Sequence, residues 1–82
     1  SSLKKNAKIR EQSINFLWKA CSKYSFKKDT LLLAIKIVDI LIQENFKPFL
    51  LDFQLASASL VILTTKYNEV YPVTIDQISL IT

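Results

Sequence analysis

Asp29-Thr30-Leu31-Leu32-Leu33-Ala34-Ile35-Lys36-Ile37-Val38-Asp39-Ile40-Leu41-Ile42-Gln43 decides the fold class of this chain. Between positions 31 and 42 only Lys36 and Asp39 are polar. The β-branched content would also suit a buried strand. The length of the run and its lack of turn residues favour a helix. A helix that is apolar nearly all round is one surrounded by other helices. An all-α bundle follows, with this segment near its centre. Asp29 can cap the helix or complement its positive end.

The pattern extends outward in both directions. From 7 to 24, Arg10, Ile14, Leu17, Trp18, Cys21 and Tyr24 recur at three- and four-residue steps, which predicts a first helix with these residues on its inner stripe. Cys21 then reads as a core thiol, and Trp18 as core or as a patch for adjacent helices, in preference to a ligand platform. Residues 1–6 form a polar, frayed tail, and 25–28 a short connection. Downstream of the central helix, 44–47 is a loop and Pro48 suits the first turn of a third helix over 49–67. Ala56, Ser57, Ala58 and Ser59 are small enough to let another backbone approach. Pro72 closes a polar corner. Thr74 and Gln77 have the spacing of a capping box for a fourth helix over 74–81.

Composition narrows the function. The chain has 82 residues, half of them hydrophobic, and no glycine or histidine. That length allows one small domain. Without glycine there is no phosphate-cradling loop. Without histidine and with one cysteine, no ordinary zinc site can form. Neither metal nor cofactor is expected, and an enzyme reading finds no catalytic constellation. A single cysteine offers no internal disulfide, which fits a reducing, intracellular setting. No signal-peptide pattern is expected at the start. The apolar runs at 31–42 and 49–63 are broken by Lys36, Asp39, Asp52 and Gln54 and are shorter than the roughly 20 residues of a membrane helix.

The net charge is +4. Lys4, Lys5, Lys8 and Arg10 lead, and Lys19, Lys23 and Lys27, four apart, make a stripe on a helix. The stripe can meet an acidic partner or nucleic acid. It can equally be a solvated helix face, which is the preferred reading because no aromatic residues interleave it. The second and third helices are apolar enough to call for cover by a neighbouring segment, a partner or a second copy, and a homodimer or domain swap is one form of that.

Lys66-Tyr67-Asn68-Glu69-Val70-Tyr71-Pro72 places a lysine, a tyrosine and a glutamate where the third helix ends at the surface. This is the layout of a binding edge. The plainer reading of Lys66 is a cation complementing the helix dipole.

These strings together resemble the N-terminal part of a cyclin box, closest to the mitotic A/B-type cyclins. Ile9-Arg10 with Phe16-Leu17 is similar to the family's Met-Arg-x-Ile-Leu-x-x-Trp-Leu opening. Asp29-Thr30-Leu31-x-Leu33-Ala34 resembles its Glu-Thr-Leu-x-Leu-Ala, and Asp39 stands at the aspartate of its Asp-Arg-Phe-Leu. Gln54-Leu55 and the string from Lys66 to Pro72 resemble Gln-Leu and Lys-Tyr/Phe-Glu-Glu-Ile-Tyr-Pro. A full box has five helices, and this chain reads as three and the opening of a fourth.

The resemblance implies a non-enzymatic regulatory subunit that binds and activates a cyclin-dependent protein kinase in cell division, in the nucleus and cytoplasm. It implies kinase contacts at Leu63, Lys66, Tyr67, Glu69 and Val70. Asn68 departs from the first glutamate of the family's pair. The resemblance also implies an ion pair between Arg10 and Asp39. The residues themselves leave Asp39 open, since it could face water beside Lys36. A buried pair would be strongly destabilising to break. The family's substrate-docking patch maps to Ile9, Arg10, Phe16 and Gln54. Glu11, Gln12 and Ser13 replace a small and two apolar residues there, so docking of Arg-x-Leu peptides is expected to be weakened. The alternative function is a binding module similar to transcription factor IIB, contacting DNA and transcription factors. The string from Lys66 to Pro72 argues against it.

Overall fold

The computed structural model describes residues 2–69 and 71–79. Five helices make up the architecture among these residues: α1 (Ser2–Tyr24), α2 (Lys28–Gln43), α3 (Lys47–Leu51), α4 (Phe53–Asn68) and α5 (Ile75–Ser79). The three long ones, α1, α2 and α4, pack against one another. The short α3 joins α2 to α4, and α5 lies against α4. The all-α bundle expected from the central apolar run is the fold observed.

The core is drawn from every helix. Ile9, Leu17 and Ala20 of α1 meet Leu31, Ala34 and Val38 of α2, and Ala58, Leu60 and Val61 of α4. Phe49 of α3 is the largest fully buried side chain. Small residues at Ser13, Ala20, Ala34, Ser57 and Ala58 are all buried, which lets the long helices approach closely. The buried hydroxyls of Ser13 and Ser57 have no hydrogen-bond partner among the described residues.

Several local features differ from the sequence reading. Helix α1 begins at Ser2, not near Ala7. The opening lysines and alanine are good helix formers and no proline or glycine stops them. The fully buried residues of α1 are Ile9, Ser13, Leu17 and Ala20. Of the expected stripe, Leu17 is central and Cys21 and Tyr24 pack partly buried against the core, while Arg10 and Trp18 lie one position off the buried face. A one-residue step turns the face by about 100°. Arg10 is therefore exposed, and Trp18 is 54% exposed, not a core residue. Asp29 sits in the first turn of α2 but does not cap it, because Lys27 holds the cap position and makes no side-chain cap bond.

The expected third helix over 49–67 is two helices. Asp52, at φ −144° and ψ 74°, breaks the run. Its Oδ1 accepts from the backbone N–H of Leu55 at 3.1 Å, so the same residue that stops α3 caps α4.

With no glycine available, the left-handed positions fall to Ser25 and Asn45, both at φ 54°. Asn45 closes α2 in a Schellman motif. Its own N–H bonds to Ile42 O at 3.0 Å, and Phe46 N–H bonds to Leu41 O at 2.9 Å.

Candidate functional site

One end of the bundle gathers the close of α1, the start of α2, the close of α4 and the segment leading into α5. The first turn of α2 leaves backbone N–H groups without intrahelical partners. Glu69, just past α4, supplies what the local sequence does not. Its Oε2 accepts from Lys27 N–H at 3.1 Å and from the hydroxyl of Thr30. Thr30 is fully buried. A carboxylate at a helix N-terminus is favoured by the macrodipole as well as by the hydrogen bonds. Glu69 is thus a cap for α2 delivered from another helix.

Thr65, one turn before the end of α4, is a second clasp. Its buried hydroxyl donates to Val61 O at 2.8 Å and accepts from Val73 N–H at 3.1 Å. That bond, with the burial of Val73, fixes the return of the chain toward α5. Thr74 and Gln77 then cap α5 reciprocally: Thr74 N–H donates to Gln77 Oε1 at 2.9 Å, and Gln77 N–H to Thr74 Oγ1 at 3.3 Å. The Tyr24 hydroxyl, from the end of α1, donates to the carbonyl of Gln77.

On this stitched end, Leu63, Lys66 and Tyr67 stand at i, i+3 and i+4 and share the outer face of the last turns of α4. Tyr67 is 80% exposed, Leu63 is about half exposed at 49%, and Lys66 is exposed. Of the residues expected at a kinase contact, these three point outward together. Glu69 does not join them, because its carboxylate is occupied within the chain. Val70 lies outside the described residues.

Arg10 and Asp39 also meet. Arg10 Nε lies 2.5 Å from Asp39 Oδ1, joining α1 to α2. The hydrogen bond to Asp39, and then its charge, raise the Arg10 pKa above its ordinary value. The pair is not buried, since the two side chains keep 49% and 45% of their surface. The expectation of a buried pair is corrected by the rotated face of α1.

The docking-patch residues separate. Ile9 is buried in the core and Arg10 is engaged with Asp39. Phe16 and Gln54 line a groove of about 280 Å³ with Gln12, Asn15, Lys19 and Phe53. A second groove, of about 580 Å³, runs between α4 and α5 and includes Leu55, Ile62 and Ile78.

The sequence reading gave Thr65 no role and named Thr30 only as part of the string that resembles the family's Glu-Thr-Leu-x-Leu-Ala. The only local signal was a hydroxyl in the first turn of one helix and another in the last turns of a second. Among the described residues no group of histidine, cysteine, aspartate and glutamate could hold a metal. No helix there is long and apolar enough to cross a membrane.

Comparison with curated proteins and with solved structures returns no match. The family model described as cyclin, N-terminal domain, matches residues 1–82. The domains of that family are regulatory and not catalytic, and its members generally partner cyclin-dependent kinases. With an all-helical bundle in hand and the match running the whole length, the chain belongs to the cyclin family through its N-terminal domain.

Proposed function

We propose that the chain binds and activates a cyclin-dependent protein kinase in cell-cycle control, as a relative of the mitotic A/B-type cyclins. The observation that carries this reading is the outward face of Leu63, Lys66 and Tyr67 on a rigidly stitched end of the bundle. The ammonium of Lys66 has three donors suited to backbone carbonyls at the end of a partner helix. Leu63 and Tyr67 flank it with apolar surface. Glu69 acts from beneath, holding the edge in place, and the family resemblance adds Val70 as a further kinase contact.

The mechanism is one of selection between kinase conformers. The edge receives the kinase helix that carries the catalytic glutamate and favours its inward position. That position completes the lysine–glutamate pair needed for phosphoryl transfer. Binding the active conformer more tightly shifts the population toward it and toward an ordered activation loop. The setting is nuclear and cytoplasmic, where Cys21 stays reduced.

Lys66→Glu combined with Tyr67→Ala tests the reading. Both side chains are exposed, so the fold should survive, as circular dichroism will show. Affinity for the co-precipitating kinase, and the histone-kinase activity recovered with it, should fall by about tenfold or more, as for loss of a central contact. Unchanged recovery of activity overturns the proposal.

A further inference from the structure

We propose that two copies of the chain pair along the outward face of α4, antiparallel, about a twofold axis that passes by Ser59. Helix α4 buries Ser57, Ala58, Leu60, Val61, Thr64 and Thr65 against the rest of the bundle. Its opposite face carries Leu55, Ser59, Leu63 and Lys66, with Asp52 at the cap, and all five are exposed. Leu55 keeps 65% of its surface and Leu63 49%. An apolar contact on this face takes both leucines out of water.

The order of these residues identifies the occupant. Counted outward from Ser59, leucines stand four positions away on either side, at Leu55 and Leu63, and opposite charges seven away, at Asp52 and Lys66. Ala56 and Ile62, both partly buried, stand three away. In an antiparallel pair centred on Ser59, Leu55 meets the partner's Leu63 and Asp52 meets the partner's Lys66, each twice. Such a face complements itself under a twofold rotation, as an isologous contact requires. A helix of some other protein has no need of that symmetry.

The local chemistry suits the contact. The Ser59 hydroxyl donates to Leu55 O at 3.0 Å, so it enters a dry interface without a stranded donor. A side chain this small at the axis lets the two helices approach to about 8 Å. Asp52 Oδ1 is spent on the N–H of Leu55, which leaves Oδ2 for the partner's Lys66. Among the described residues neither Asp52 nor Lys66 is in an ion pair with another residue. Antiparallel helices also set opposite dipole ends side by side. The excess charge stays clear of the axis, since six of the eleven basic residues lie on α1, which packs against α4 from the core side.

From Asp52 to Lys66 the face is about 21 Å long at 1.5 Å per residue. One helix face of that length is small for an interface, so the dimer exchanges and its affinity is micromolar. It covers Leu63 and Lys66. On the kinase reading, dimer and kinase therefore compete for one edge, and a free chain masks its own binding face. That consequence rests on the kinase reading. The dimer itself does not, and its tests use the chain alone, so either can fail without the other.

Sedimentation velocity from about 5 to about 500 µM should show the monomer giving way to a dimer. Ser59→Arg sets two like charges on the axis and should leave the chain monomeric throughout that range. Asp52→Asn keeps a capping side chain and removes the charge. It should weaken the dimer severalfold at low salt, and the difference should vanish at high salt. Mild oxidation of Ser59→Cys should yield a disulfide-linked dimer. Leu55→Cys should not cross-link, because its two copies lie about 12 Å apart along the helices and a disulfide needs Cα atoms within about 7 Å. The unaltered chain, with Cys21 alone, is the control. In the cross-linked dimer, acetic anhydride should acetylate Lys66 severalfold more slowly than in the reduced chain. The substituted positions are all exposed, and circular dichroism verifies that each variant folds. A monomer at every concentration, or a dimer indifferent to Ser59→Arg, overturns the proposal. Cross-linking of Leu55→Cys as fast as Ser59→Cys would mean another register and overturn it too, as would an unchanged rate at Lys66.

Discussion

Among the described residues, Asp39 and Glu69 each carry a carboxylate across to another helix, and they are not equivalent. Asp39, in the later half of α2, meets Arg10 with both side chains about half in water. Glu69, past the end of α4, meets the first turn of the same helix at a fully buried threonine and a backbone N–H. The first exchange replaces water around two solvated charges by one another and gains little. The second satisfies the hydroxyl of a buried threonine and a helix-start N–H that has no partner within the helix. A named ion pair is the more conspicuous feature in a sequence, yet the glutamate is the contact expected to contribute more to stability.

The contrast can be broken most directly at Glu69. Glu69→Ala should destabilise the chain by about 2–3 kcal/mol in urea unfolding, as expected for losing hydrogen bonds to a charged group and stranding their donors. A loss below about 0.5 kcal/mol, within the range of ordinary surface changes, would place both carboxylates in one class. Thr30→Val keeps the shape and removes one of the two donors. It should cost about 1 kcal/mol, and the double variant with Glu69→Ala should be less destabilised than the sum of the two. Strict additivity would deny the contact. Smallest of all, Asp39→Ala should lower the melting temperature by at most about 8 °C, an effect that fades as salt approaches about 1 M. A large, salt-insensitive drop would show that the pair is less hydrated than its exposure suggests.

The helical bundle was legible because the run at 31–42 is too long and too uninterrupted for a strand. The reciprocal caps of α5 were legible because both partners lie within four residues. Other features were hidden for reasons that can be named. The usual sign of a helix end is glycine, and the chain has none, so the Schellman turn at Asn45 read as an undefined loop. Asp52 stands inside an apolar stretch that a periodic reading carries straight through, although aspartate is also a strong cap. On α1, counting Arg10 and Trp18 into the apolar stripe turned the expected face, although Leu17 was rightly placed, and Ser13 and Ala20, too small to signal burial, complete the true one.

The candidate site divides the same way. Lys66 and Tyr67 are amphipathic side chains at the end of a helix, where sequence alone suggests exposure. The inward turn of Glu69 could not be seen, because its partners lie 39 and 42 positions away. No local pattern links residues at that separation. Of the expected lysine stripe only Lys19 and Lys23 share α1, because that helix ends at Tyr24 and Lys27 holds the cap position of α2, and the opposition of Lys19 to Gln54 depends on how α4 crosses α1.

The clasp at Glu69 has a mechanical meaning. A load placed on the last turn of α4 passes through one carboxylate into the first turn of α2, and from there along the central helix of the bundle. Such an edge behaves as a strut braced at its foot and not as a hanging tail. Whatever presses on Tyr67 pushes against the whole body of the domain.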